Sequence, residues 1–95
     1  MIGQFLYDAE GDQSRVQLML CDIGGTPGGV VSIPPHIVVS LRALKLPVRT
    51  IDEFMKLEFA LGYAVTVAGI AGTGLLLLGE KDVWPSSWGE LITRH

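Results

Sequence analysis

A chain of 95 residues with a net charge of −3 has room for one domain and one core, and its acidic balance argues against nucleic acid as a partner. A single cysteine excludes an internal disulfide and a cysteine-built zinc site. Charged residues are only 18% of the chain, below the usual ~25%, so part of an apolar surface is expected to be covered by another chain, and a homo-oligomer, a dimer, is expected.

The first five residues place no basic segment ahead of an apolar stretch, so no secretory leader is expected. With the lone Cys21, this points to a reducing, cytoplasmic setting. Residues 2–7 read as a strand. Residues 16–21 read as a second strand, with Val16, Leu18 and Leu20 on one face and Gln17, Met19 and Cys21 on the other. The polar, glycine-containing loop between them suggests an antiparallel hairpin. In that loop Asp8, Glu10 and Asp12 alternate like the start of a calcium loop. Gly11 falls at the fourth loop position instead of the sixth, and Met19 stands where the last ligand would be, so the loop reads as a solvated turn.

Asp22, Ile23, Gly24, Gly25 and Thr26 follow directly. Glycines let backbone N–H groups approach a phosphate, and an acidic side chain can hold a metal through water. These five residues resemble the phosphate loop of the actin-like ATPase and sugar-kinase superfamily. The resemblance implies phosphate or nucleotide binding through the glycine-rich loop 22–29, with Asp22, Gly24, Gly25 and Thr26 as candidates. It covers those five residues alone. Enzymes of that superfamily close two lobes over the nucleotide, and this chain has room for one small lobe. The other reading of residues 22–29 is a wide, flexible connection, with a third strand over 30–33.

Pro34 and Pro35 suit a helix start. Ser32 is the candidate cap, and Ile37, Val38, Leu41 and Leu44 form the apolar face up to the stop before Pro47. Arg42, Lys45 and Arg49 recur at helical spacing as a basic stripe, a candidate docking surface for an acidic partner. His36 has no ligand-spaced neighbour and reads as a surface residue. Thr50 to Glu53 matches a capping box and predicts a second helix through Phe54, Leu57 and Leu61 to Gly62.

The uncharged run 59–79 has two readings. One is the end of a helix followed by a hairpin, with Tyr63 to Val67 and Leu75 to Leu78 as strands and glycines at the turn. The other is a membrane-spanning helix, with Ala64, Ala68 and Gly72 as a close-packing stripe. Further on, Ser87 to Glu90 repeats the capping-box pattern and predicts a short final helix carrying Trp88, Leu91 and Ile92. Trp84 and Trp88 are expected to lie against the sheet, or to anchor a partner if the tail is loose.

The predicted order is β-β-β-α-α-β-β-α over a single α+β domain, residues 1–95, with a largely antiparallel sheet covered by helices. No nucleophile–base pair, carboxylate pair or metal cluster stands out, so neither catalysis nor a cofactor is expected. The expected function is a small non-catalytic protein-binding module: an adaptor, a subunit or an inhibitor that covers a partner surface. Its candidate contacts are Arg42, Lys45, Arg49, Trp84 and Trp88. The alternatives are a single-pass membrane protein spanning with 59–79, and phosphate binding through 22–29.

Overall fold

The computed structural model describes residues 4–12, 14–45 and 54–93. Strand β2, Val16–Ile23, alternates as its sequence predicts: Val16, Leu18 and Leu20 are buried and Met19 between them is exposed. It turns through Gly24 and Gly25 into β3, Thr26–Ser32, pairing antiparallel from Gln17↔Ser32 to Ile23↔Thr26. The expected flexible connection over 22–29 is therefore only the two-residue turn: β2 runs on through Asp22 and Ile23, and β3 begins four residues earlier than expected. Gly28 and Gly29 are buried strand positions. A Cβ on Gly28 would lie 2.4 Å from the Phe54 ring, and one on Gly29 2.6 Å from the Leu18 side chain, so the bare backbone leaves room for two neighbouring side chains.

Helix α1, Pro35–Ala43, starts on Pro34 rather than on Ser32, which ends β3. It buries Ile37, Val38 and Leu41. Leu44, expected on that face, is exposed because the helix has ended and Lys45 turns off it at φ 60°. Thr50 to Glu53 lie outside the described residues, and the expected second helix starts later than they imply. Phe54–Lys56 is a short strand, β4, antiparallel to β3, and helix α2 runs Leu57–Ala71 from an N-cap at Lys56.

Helix α2 continues through Gly62 and takes up the expected strand at 63–67. Ala60, Ala64 and Ala68 repeat every four residues and are buried with Leu57, Leu61 and Val67 on β2 and β3, whereas Gly62 and Gly69 lie on the outer side. Burial of that stripe outweighs the β-preference of Tyr63, Val65 and Val67. The helix closes in a Schellman motif at Gly72, φ 69°, where Thr73 N–H reaches Ala68 C=O (3.0 Å) and Gly72 N–H reaches Gly69 C=O (3.3 Å). Strand β5, Leu75–Gly79, follows, so 59–79 is divided between a helix and a strand. Among the described residues no helix is long and apolar enough to cross a membrane.

Two single 3-10 turns, Lys81–Val83 and Ser86–Trp88, lead to β6, Glu90–Thr93, a strand in place of the expected final helix. It adds in parallel to β1, Gln4–Tyr7, with Leu91 beside Phe5 and Ile92 beside Leu6. The six strands form one mixed sheet in the order β4-β3-β2-β5-β1-β6. The fold is α+β, as expected, but β1 and β2 do not make a hairpin. They run parallel with β5 between them: β5, whose Leu76 and Leu77 are buried on opposite faces, pairs with β1 at one edge and with β2 at the other. The loop from β1 to β2 therefore crosses β5.

Candidate interaction surface

Pleating assigns every sheet residue to one of two faces. The first holds Val16, Leu18, Leu20, Val31 and Leu77, all buried in one core with α1, α2, Tyr7 and Trp84. The second follows from the strand registers. Phe54, Val30, Met19 and Leu78 stand side by side across β4, β3, β2 and β5 in one apolar row. None of the four is buried, and Met19 is 43% exposed against 0% for its neighbour Leu18.

Charged residues flank this row. One position further along, Lys56 stands beside Gly28, Gly28 beside Cys21, and Glu80 follows Gly79, the partner of Leu20. Lys56 and Glu80 thus occupy opposite ends of one line, both exposed. Neither has an ion-pair partner among the described residues. Burial pushes the Cys21 thiol pKa up, and the negative charges of Glu80 and then Asp22 push it in the same direction.

On the other side of the apolar row the loop 8–12 folds onto the sheet. Its Asp12 N–H donates to Gln17 Oε1 at 3.0 Å, and Leu76, beside Gln17 in register, is fully buried. The loop's carboxylates serve its own turns: Asp8 Oδ1 accepts Glu10 N–H, and Asp12 Oδ1 accepts Ser14 N–H and its hydroxyl. Between the loop and the apolar row lies a shallow depression of about 290 Å³ lined by Gln17, Met19, Val30, Ser32 and Leu78.

The residues singled out in the sequence are dispersed. Arg42 and Lys45 are exposed at the end of α1, and Arg49 lies outside the described residues. The tryptophans do come together, with ring centroids 5.6 Å apart at 89°. Trp84 is buried against Phe5, and its indole N–H donates to Gly89 C=O at 3.1 Å. Trp88 is half-buried and walls a cleft of about 270 Å³ with Pro27, Leu57, Pro85, Lys56 and Glu58.

Gly24 and Gly25, at φ 60° and 84°, make a two-residue turn with both central φ positive, and Asp22 Oδ1 accepts Gly25 N–H at 2.9 Å. The hairpin thus accounts for the glycine pair and the aspartate without a ligand. Among the described residues no three His, Cys, Asp or Glu side chains gather where they could hold a metal ion.

The sequence reading missed the apolar row as a unit. The outward position of Met19 was legible from alternation in β2. The local pattern places Phe54 in a helix, and the β2–β5 pairing leaves no local mark. In comparisons with known proteins the chain matches no family model, no curated protein and no solved structure.

Proposed function

We propose that this chain is a non-catalytic protein-binding module, cytoplasmic, that covers a partner with the open face of its sheet. One observation supports this reading. Among the described residues the two helices pack on one face, and the other lays Phe54, Val30, Met19 and Leu78, none of them buried, in a row across four strands. An antiparallel sheet open to water on one side normally turns polar residues outward. Here the outward positions at the centre of the sheet are apolar, and contiguous apolar surface of this kind marks interaction sites. Met19 adds a flexible, polarisable side chain suited to an interface. A cytoplasmic setting keeps Cys21, on the same face, reduced.

The test is crosslinking-assisted capture on tagged protein, with wild type compared with Met19→Asp. The aspartate places a charge in the middle of the row at an exposed position. Proteins retained by wild type, the chain itself included, should be lost by Met19→Asp and kept by an Arg42→Glu/Lys45→Glu control. Equal retention by Met19→Asp sinks the reading and moves attention to the end of α1.

A further inference from the structure

We infer that the occupant of the open sheet face is a second copy of this chain, packed face to face about a two-fold axis that runs along the strands. The inference rests on the binding reading above and adds the partner and its geometry.

Charge placement selects the partner and the axis. Lys56 and Glu80 end the same line of residues, with Gly28 and Cys21 between them. Three strand spacings of about 4.8 Å separate them, about 14 Å in all. A face with a cation at one end and an anion at the other is complementary to its own reversed copy. An axis along the strands reverses the line and sets each Lys56 opposite the Glu80 of the other copy, giving two symmetry-related ion pairs. An axis across the strands leaves the line unreversed and sets Lys56 on Lys56 and Glu80 on Glu80, which is repulsive. Isologous contacts of the first kind are the commonest way for a soluble chain to pair.

The apolar row obeys the same symmetry. Reversal sets Phe54 over Leu78 and Val30 over Met19 of the other copy. The Phe54 ring lies over Gly28 of its own chain, where a Cβ would strike it. Two sheets packed this way lie about 10 Å apart. That gap is within reach of a lysine and a glutamate extended toward each other. It also places the two Cys21 residues about 11 Å apart, from one strand spacing and one sheet spacing.

The experiment is sedimentation equilibrium of the full chain at low salt, paired with crosslinking by a short bis-maleimide at Cys21. The wild type should sediment at twice its 10.2 kDa and crosslink to a covalent dimer. Lys56→Glu and Glu80→Lys should each weaken dimerisation about tenfold or more and suppress the crosslink. The double variant Lys56→Glu/Glu80→Lys, which restores both pairs with the charges exchanged, should recover both. Both side chains are exposed, and far-UV circular dichroism checks that each variant is folded.

A dimer indifferent to the single variants, or single losses that the exchange does not repair, overturns the inference. So does a wild-type chain that stays monomeric. A monomer that still captures a different protein in a Met19-dependent way overturns this inference alone. Capture that ignores Met19→Asp overturns the binding reading itself.

Discussion

The hydroxyl of Tyr7 donates a hydrogen bond to the carbonyl of Gly79, 72 residues along the chain. The two residues end the neighbouring parallel strands β1 and β5, and Tyr7 lies beside Leu77 in register. The Lys81 ammonium sits 4.6 Å from the centroid of the Tyr7 ring and donates to the Thr93 hydroxyl at 3.1 Å. One buried tyrosine therefore ties β1, β5 and the segment leading to β6 at one end of the sheet. Tyr7→Phe keeps the packed ring and removes only the donor. It should cost about 1 kcal/mol, read as a lower urea midpoint with an unchanged slope. An unmoved midpoint would show that the bond adds nothing to the fold.

Gly79 and Gly72 both have positive φ, and the space around them sets them apart. A Cβ on Gly79 would lie 2.4 Å from the Leu20 carbonyl oxygen, a backbone atom held in the sheet, whereas one on Gly72 meets nothing within 4 Å. Gly72→Ala should lose about 1 kcal/mol from strain alone. Gly79→Ala adds a backbone clash and should lose about 3 kcal/mol or more, measured in the same denaturation series. Equal losses would mean that β5 can shift away from β2.

Two other glycines should respond in the opposite direction. Gly62 and Gly69 lie on the outer side of α2, where an added Cβ meets nothing within 4 Å. Gly62→Ala and Gly69→Ala should each raise stability by about 0.5–1 kcal/mol, because alanine removes the glycine penalty inside a helix. Thermal unfolding reads the gain. A lower melting temperature would show that residues 57–71 are not helical throughout.

The turn at Gly24 separates backbone need from side-chain contact, since the space around it is open. A turn with both central φ positive accepts asparagine ahead of glycine. Gly24→Asn should hold stability within about 0.5 kcal/mol, and Gly24→Val, β-branched at positive φ, should lose about 1–2 kcal/mol. If the two variants unfold at the same midpoint, the turn is not the one described.

Cys21 carries a pH signature. Burial first, then the Glu80 and Asp22 charges, hold its thiol above the ordinary value. Alkylation by iodoacetamide should accelerate only above the pH at which a free cysteine reacts, near ~8.5, and Glu80→Gln should shift the profile back down. The sign for stability follows. Above the unfolded pKa the unfolded thiol has released a proton that the folded one keeps. The contribution is therefore complete below the unfolded pKa and is lost as pH rises through the folded one. A rate profile matching that of a short cysteine peptide would contradict this.

Local chemistry made part of this structure legible in the chain. Alternation in Val16 to Cys21 announced β2 and the outward direction of Met19. Pro34 and Pro35 marked the start of α1, and the leucines before Gly79 marked β5. Each of these signals is complete within a few residues, because pleating, proline φ and apolar runs act over that range. The candidate interaction surface was only half legible for the same reason. Met19 could be placed on a face, but the residues beside it come from β3, β4 and β5.

Sequence alone thus determined the α+β class, strands β1, β2 and β5, the outward position of Met19 and one helix start. Tertiary structure decided the rest. Ala60, Ala64 and Ala68 make a helix of 57–71 only because a sheet lies beneath them to receive a close-packed stripe. β1 and β2 do not form a hairpin because β5, from far along the chain, pairs between them. Glu90 to Thr93 is extended because β1 offers it an edge, where the local pattern suggested a helix. In each case the favourable term is burial against residues far away in the chain, and no local pattern encodes which distant surface will be there.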